Sequence, residues 1–374
     1  MNVSRRHLLL SIAAASTHAS WPAYAVEKCP GVDPVTGTRP DLVPPATKPI
    51  LAPARPIPAA WRQVALELIA LFESGDGNVE AAYANASATD VISLGYLQWN
   101  HNAGSLYTAL LKDAGPEFVA AAPEGIRAGI DTLIRVSSGA LPRKDGRAVL
   151  ARWTKSGSVA GATRRDLAAW LTSPPLRKRQ DELIDDQLSQ ALQYTDAWQR
   201  DLGLSLEGDA PKRAFYSFVD LQVFNGGDLA GLWAEHVRTF RGQFTSGVAM
   251  MDYLVQWSTS CAAYTFKGTV RTTDDEGKYV YYAPKYKQLY IRDETPISVA
   301  EWRRLAAAGD PRLNEDALNL IALGFLRARI SFGNDKPRGF HGVFQLDVLN
   351  RRGMMATGVG VRDGERTPRP LYSL

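Results

Sequence analysis

Apolar residues recur at three- and four-residue intervals through Trp61, Val64, Ala65, Leu68, Ile69 and Phe72, the stripe of an amphipathic helix with one buried face. The stripe closes on Glu73, and Gly75 and Gly77 follow at once, so the spacing predicts that the helix ends there. From Ala84 to Gln98 the pattern changes to turn residues and then to "VISLGYLQW", which predicts a short strand or hairpin leading into a further turn. Helical spacing returns over Leu106–Ala114, Pro123–Val136, Arg164–Leu171 and Arg177–Leu202. Asp209-Ala210-Pro211 reads as a helix start, with a capping acid and an early proline. That helix runs through Phe215, Phe218, Val219 and Gln222 and stops at Asn225-Gly226-Gly227. Thr265–Asp293 is a polar, tyrosine-rich excursion with a hairpin expected through "TTDDEGKY", and Asn314-Glu315-Asp316 opens a last helix reaching about Arg329. The fold class expected is mainly α with a small β element inserted early (α+β).

Two segments precede this pattern. Residues 1–25 join Arg5-Arg6, a short apolar middle and "AYA" before Val26, the layout of an export signal of twin-arginine type. The expected location is therefore periplasmic or secreted. Val26-Glu27-Lys28 before Cys29 lacks the small apolar residues of a lipid-attachment site. Residues 26–57 form a proline-rich extended arm, with nine prolines between Cys29 and Pro58. The folded region is expected over 58–374, with an insertion or hairpin near 265–293.

Composition narrows the function. Without residues 1–25, 41 basic residues face 39 acidic ones, a balance with no nucleic-acid footprint. No apolar run approaches the roughly 20 residues of a membrane-spanning helix, so stable membrane insertion is not expected. Two cysteines, Cys29 and Cys261, could pair in an oxidising compartment or remain free thiols. Outside residues 1–25 the histidines are His101, His236 and His341, none in a zinc-type spacing. There is no G-x-S-x-G elbow and no phosphate-cradling glycine loop. The chain implies no cofactor and no metal, and a hydrolase built from it would run on carboxylates.

Glu73 suits that role. The partial negative charge at a helix carboxyl end, together with apolar neighbours such as Phe72, favours a protonated carboxyl. Glycosidic cleavage needs such an acid for the leaving oxygen, and in hydrolysis a second carboxylate. Asp76, Glu80 and Asp90 are all candidates, and Thr89 and Ser93 flank Asp90 with hydroxyls able to hold a water. Gln98-Trp99-Asn100 reads either as a sugar-binding shelf or as a strand end packed on the core.

Three stretches carry a resemblance: "FESG" with Gly95-Tyr96-Leu97-Gln98 beginning 22 residues after Glu73, "ISLGYLQWNHNAGSLYTALL", and the later "FVDLQVFNGG". Together with "HGVFQLDVLNRRGMMATGVGVRDG" they resemble the lysozyme superfamily of glycoside hydrolases. Parts of the pattern are similar to goose-type lysozymes, lytic transglycosylases and family 46 chitosanases, and the combination looks closest to lysozyme-like domains of bacterial secreted and phage-related proteins. The resemblance is carried by scattered motifs between Glu73 and Gly364, not by a continuous match. It implies a two-lobed, lysozyme-like domain with a cleft, acting on a polysaccharide such as peptidoglycan or chitosan. In that pattern Glu73 is the general acid and Asp90 the second carboxylate. Gln98 and Asn100 contact sugar hydroxyls, with Ser93, Tyr96 and Trp99 beside them, and Asp220, Gln222 and Asn225 line the cleft from a facing helix. Leu94-Gly95-Tyr96 departs from the Gly-Gly pair of the chitosanases. Transglycosylases need no second carboxylate, and a wall-binding protein that had lost the chemistry would keep the same shelf.

Overall fold

The computed structural model describes residues 49–73, 84–86, 92–102, 104–155, 158–225, 229, 231–265, 270–273, 279–283, 288–290, 294–330, 343–362 and 367–372. Most described residues are helical, in line with the mainly α expectation. The chain divides into two compact units. One holds residues 57–189, and the other holds residues 49–56 with 190–374. Residues 1–25, where an export signal is expected, the arm up to residue 48 and the segment around Asp76, Glu80 and Asp90 lie outside the described residues.

In the amino-terminal unit, α1 (Ala59–Glu73) is the helix that the first apolar stripe predicts. Trp61, Ala65, Leu68 and Ile69 are buried. Then come β1 (Ala84–Ala86), β2 (Ile92–Leu94) and β3 (Trp99–Asn100), an antiparallel sheet in the order β1-β2-β3. Its register pairs Asn85 with Ser93, Ser93 with Asn100 and Leu94 with Trp99. The run expected as a helix over Leu106–Ala114 is instead one π-helical turn, Leu106–Leu110, in which the Leu111 N–H reaches back to the Leu106 carbonyl at 2.9 Å. Ser137 explains part of the difference, since its hydroxyl donates to the carbonyls of Tyr107 and Leu111 and takes up acceptors that a continuing helix would use.

Four helices follow: α2 (Pro116–Ala120), α3 (Glu124–Ser137), α4 (Arg143–Trp153) and α5 (Gly161–Leu171). Two short strands, β4 (Thr154–Lys155) and β5 (Ser158–Val159), form a hairpin between α4 and α5. The long α6 (Pro174–Leu202) begins in this unit, and the division between units falls within it. Ile92, Leu94, Trp99, Leu106, Ile130, Leu133, Leu150 and Trp170 share one apolar core.

The carboxyl-terminal unit starts from a strap at residues 49–56. Arg55 makes a two-pronged ion pair with Asp196, at 2.7 and 2.8 Å, and Arg200 donates to the Ile50 carbonyl. Then come α7 (Lys212–Asn225), α8 (Ala234–Arg241), α9 (Gly247–Thr265) and the antiparallel β6 (Val270–Thr273), β7 (Tyr279–Ala283) and β8 (Gln288–Tyr290). The hairpin expected in the tyrosine-rich excursion is thus present, with a third strand added. α10 (Glu294–Ala307) and α11 (Glu315–Ile330) follow. The helix opened by Asn314-Glu315-Asp316 is not the last: α12 (Val343–Thr357) follows it, and β9 (Val359–Gly360) pairs with β10 (Arg369–Pro370).

α12 escapes a hydropathy pattern because its buried face is partly charged. Arg351 and Arg352 both donate to the Asp220 carboxylate of α7, and all three side chains are almost fully buried. Burial pulls the Arg352 guanidinium down to about 10, and Asp220 opposes that shift. Next to them, Gly353 makes room for Trp302, since a Cβ there would sit 2.0 Å from the indole. The Trp302 indole N–H donates to the Val359 carbonyl at 2.8 Å. Removing the carboxylate alone would take the counter-ion from two buried guanidiniums. Asp220→Ala is therefore expected to lower stability by about 3–5 kcal/mol in urea unfolding, whereas a change below about 1 kcal/mol would show that water reaches these arginines.

Candidate functional site

The residues with candidate chemistry in the amino-terminal unit gather on the β2–β3 hairpin. Gly95 to Gln98 forms its turn, closed by the Gln98 N–H to the Gly95 carbonyl at 3.1 Å. Both ends of the turn are left-handed, with φ +71° at Gly95 and +52° at Gln98. For a non-glycine residue that conformation costs about 1–2 kcal/mol, and such outliers persist where the surroundings over-determine them. The surroundings do so here. Gln98 and Trp99 are buried, and a Cβ at position 95 would lie 2.3 Å from Gln180 Oε1 and 2.7 Å from the Trp99 ring.

The hairpin brings together Ser93, Tyr96, Gln98, Trp99 and Asn100, as expected from their spacing. Ser93 and Asn100 face each other in register and are both buried. Trp99 is 3% exposed and belongs to the core, so for this residue the packed strand end describes the structure better than an open shelf. Tyr96 remains half-buried. The Arg177 guanidinium lies 5.5 Å from its ring centroid, within cation–π range. Desolvation raises the Tyr96 phenol above its ordinary value, with the Arg177 charge opposing.

Glu73 is the final residue of α1, the position expected for it, while its side chain lies outside the described residues. Asp90 lies outside them altogether. Asp220, Gln222 and Asn225 belong to α7 of the other unit. Asp220 is 1% exposed and held by Arg351 and Arg352, a placement that ties its carboxylate to the core. Gln222 is buried as well, and Asn225 ends the helix, with its side chain outside the described residues.

A second group adjoins the hairpin. The chain leaves β3 at Asn100, whose N–H is accepted by Ser105 Oγ at 2.9 Å. His101 Nδ1 lies 2.7 Å from the Tyr107 hydroxyl, and the two rings meet edge to face. Arg143 donates to the His101 carbonyl and stands over the Tyr107 ring, 5.3 Å from its centroid. Burial lowers His101 to about 4, and the charges of Arg143 and Arg147 push the same way. Burial raises Tyr107 to about 12. At neutral pH both groups are therefore uncharged. Their 2.7 Å contact is thus a hydrogen bond between two neutral groups, the donor being set by the imidazole tautomer. The spacing of the histidines shows none of this, because the pairing depends on the π-turn that carries Tyr107.

Among the described residues, no three His, Cys, Asp or Glu side chains converge as a metal site, and no helix is long and apolar enough to cross a membrane. The chain matches no protein-family model, no curated protein and no solved structure.

The His101 pair makes a signed prediction. A folded-state pKa below the ordinary 6.5 means the unfolded chain binds the proton more readily. The contribution to stability is complete above about 6.5 and is lost as pH falls towards about 4. It amounts to on the order of 2–3 kcal/mol. Thermal unfolding of the wild type minus that of His101→Asn, which keeps an acceptor for Tyr107, should therefore narrow across that window. A difference independent of pH would refute the neutral pair.

Proposed function

We propose that this chain is an exported glycoside hydrolase of lysozyme-like type that cleaves β-1,4 bonds of an amino-sugar polymer, peptidoglycan in the first instance. The observation that carries the reading is the Gly95–Gln98 turn, where a non-glycine polar residue is held left-handed on a sheet that follows a helix ending in Glu73. The cost of that conformation makes sense where the backbone of the turn must be held in one orientation. A small antiparallel sheet after an acid-terminated helix also agrees with the motif resemblance in these residues.

In this reading Glu73 donates its proton to the glycosidic oxygen as the bond to the anomeric carbon breaks. Asp90, acting as base, takes a proton from the water that attacks that carbon. Tyr96, the half-buried polar residue of the turn, contacts the sugar beside them. The two-lobed cleft and the periplasmic or secreted location belong to the same proposal. So does a Cys29–Cys261 disulfide: Cys261 is fully buried on α9, and alkylation of the unfolded chain in denaturant without reductant should leave both cysteines unlabelled.

The test compares wild type and Glu73→Gln on peptidoglycan and on chitosan, by release of reducing ends. Loss of a general acid should cut the rate by about a hundred- to ten-thousand-fold, while circular dichroism stays unchanged. Equal release by the two proteins would remove Glu73 from the mechanism. Cleavage of chitosan in preference to peptidoglycan would move the substrate, and anhydro-sugar ends would move the reaction to transglycosylation. Retention on insoluble wall without release would leave a binding protein.

A further inference from the structure

Gln180 stands outside every motif in the sequence, inside the run Arg177-Lys178-Arg179-Gln180 that reads as a basic cluster. The structure gives it a different role. Its side chain is fully buried, and its amide spans two elements. Oε1 accepts the Tyr96 N–H at 3.1 Å, while Nε2 donates to the Leu171 carbonyl, at the end of α5, at 2.8 Å. One bond needs an acceptor and the other a donor, so together they fix which way the amide faces. The same Oε1 occupies the space where a side chain at position 95 would begin. Gly95 and Gln180 therefore fit each other: the missing Cβ admits the amide, and the amide pins the first peptide of the turn.

α6 makes a second contact with the same turn. Arg177, three residues earlier and on the same helix face, covers the Tyr96 ring. Asp181 and Arg62 add their charges around the phenol. The α6 face thus grips Tyr96 at both its backbone and its ring. Turning of the Tyr96 peptide would redirect Leu97 and release Gln98 from its left-handed conformation.

We infer that Gln180 is the positioning residue of the glycan site, holding the Gly95–Gln98 turn so that Tyr96 meets the sugar in a fixed orientation. This rests on the glycosidase reading for the identity of the ligand, and on the two hydrogen bonds for the mechanism. Loss of one well-placed contact to the sugar, about 1.4 kcal/mol, is a tenfold loss of affinity.

Two substitutions separate positioning from bulk packing. Gln180→Met fills the space and loses both hydrogen bonds. Gln180→Glu has the shape of glutamine, and its neutral carboxyl offers one carbonyl acceptor and one O–H donor, so it can restore both bonds only when protonated. Burial raises the pKa of such a carboxyl well above its ordinary range, which puts the recovery in an accessible window. Amide hydrogen exchange, measured against wild type at each pH, should show Tyr96 and Gln98 losing at least tenfold in protection in Gln180→Met, with Ile130 and Leu133 in the core of α3 unchanged. Gln180→Glu should match Gln180→Met at pH 8 and approach wild type near pH 5. On peptidoglycan or chitosan, KM should rise roughly tenfold with kcat within about twofold, and the Glu variant should recover KM as pH falls.

Unchanged protection at Tyr96 in both variants would overturn the inference, as would a Gln180→Glu protein with no recovery at low pH. An active wild type whose Gln180→Met variant keeps its KM sinks this inference alone. A wild type that neither cleaves nor binds either polymer sinks the glycosidase reading, and the glycan site assigned to Gln180 goes with it.

Discussion

One buried carboxylate, Asp220, organises much of the carboxyl-terminal unit. Arg351 and Arg352 are consecutive on α12, so their side chains leave the helix about 100° apart. Both can reach the same carboxylate only if α7 runs close beside α12. The next residue is Gly353, where the bare backbone admits the Trp302 ring from α10. The indole N–H then satisfies the Val359 carbonyl, while Ser298 Oγ accepts the Val361 N–H and Asn350 Nδ2 donates to the Val361 carbonyl. Arg213, also buried, donates to the Ala356 carbonyl at 2.7 Å and supplies positive charge at the carboxyl end of α12. Burial costs several kcal/mol per ion and is recovered only in good geometry, so this packing tolerates little movement.

The amino-terminal unit holds its backbone with neutral groups beside the Arg143 and Arg179 guanidiniums, which donate to the His101 and Ala109 carbonyls. Gln180, Ser137 and Ser105 each engage a backbone group of the hairpin, the π-turn or the residue after it, and the Trp170 indole N–H engages the Phe118 carbonyl of α2. His101 and Tyr107 remain uncharged, since neither can ionise cheaply in that setting. Neutral amides and hydroxyls hold irregular backbone without the desolvation cost of ions.

Regular apolar spacing made much of the fold legible in the sequence. α1 closes on Glu73 as its stripe requires, α3, α5, α6, α7 and α11 follow their patterns to within a few residues, and the early β element and the tyrosine-rich hairpin fall where turn residues place them. What was not legible has a common cause. The π-turn at Leu106, the buried arginines of α12 and Gln180 within a basic run are all settled by partners distant in sequence. A hydropathy pattern scores Arg351 and Arg352 as surface, because nothing local reveals Asp220 some 130 residues away. For the candidate site, the cluster Ser93–Asn100 was readable because a hairpin makes neighbours of nearby residues. Trp99 turned inward and Asp220 became a core anchor because each found a partner that local spacing cannot foresee.

The turn itself shows how such a partner converts strain into position. Left-handed Gln98 loses about 1–2 kcal/mol against an ordinary conformation, and by itself it would relax into one. It is held because Trp99 beside it is packed in the core, and because the Tyr96 peptide, two residues earlier, is fixed by Gln180. The restraint has to act at both ends, since release of either gives the intervening backbone room to turn. Gly95 is what allows this, as any larger residue would push Gln180 away from the peptide it holds. The strained residue, the missing side chain and the buried amide are therefore a single device, and removing any one of them removes the reason for the other two.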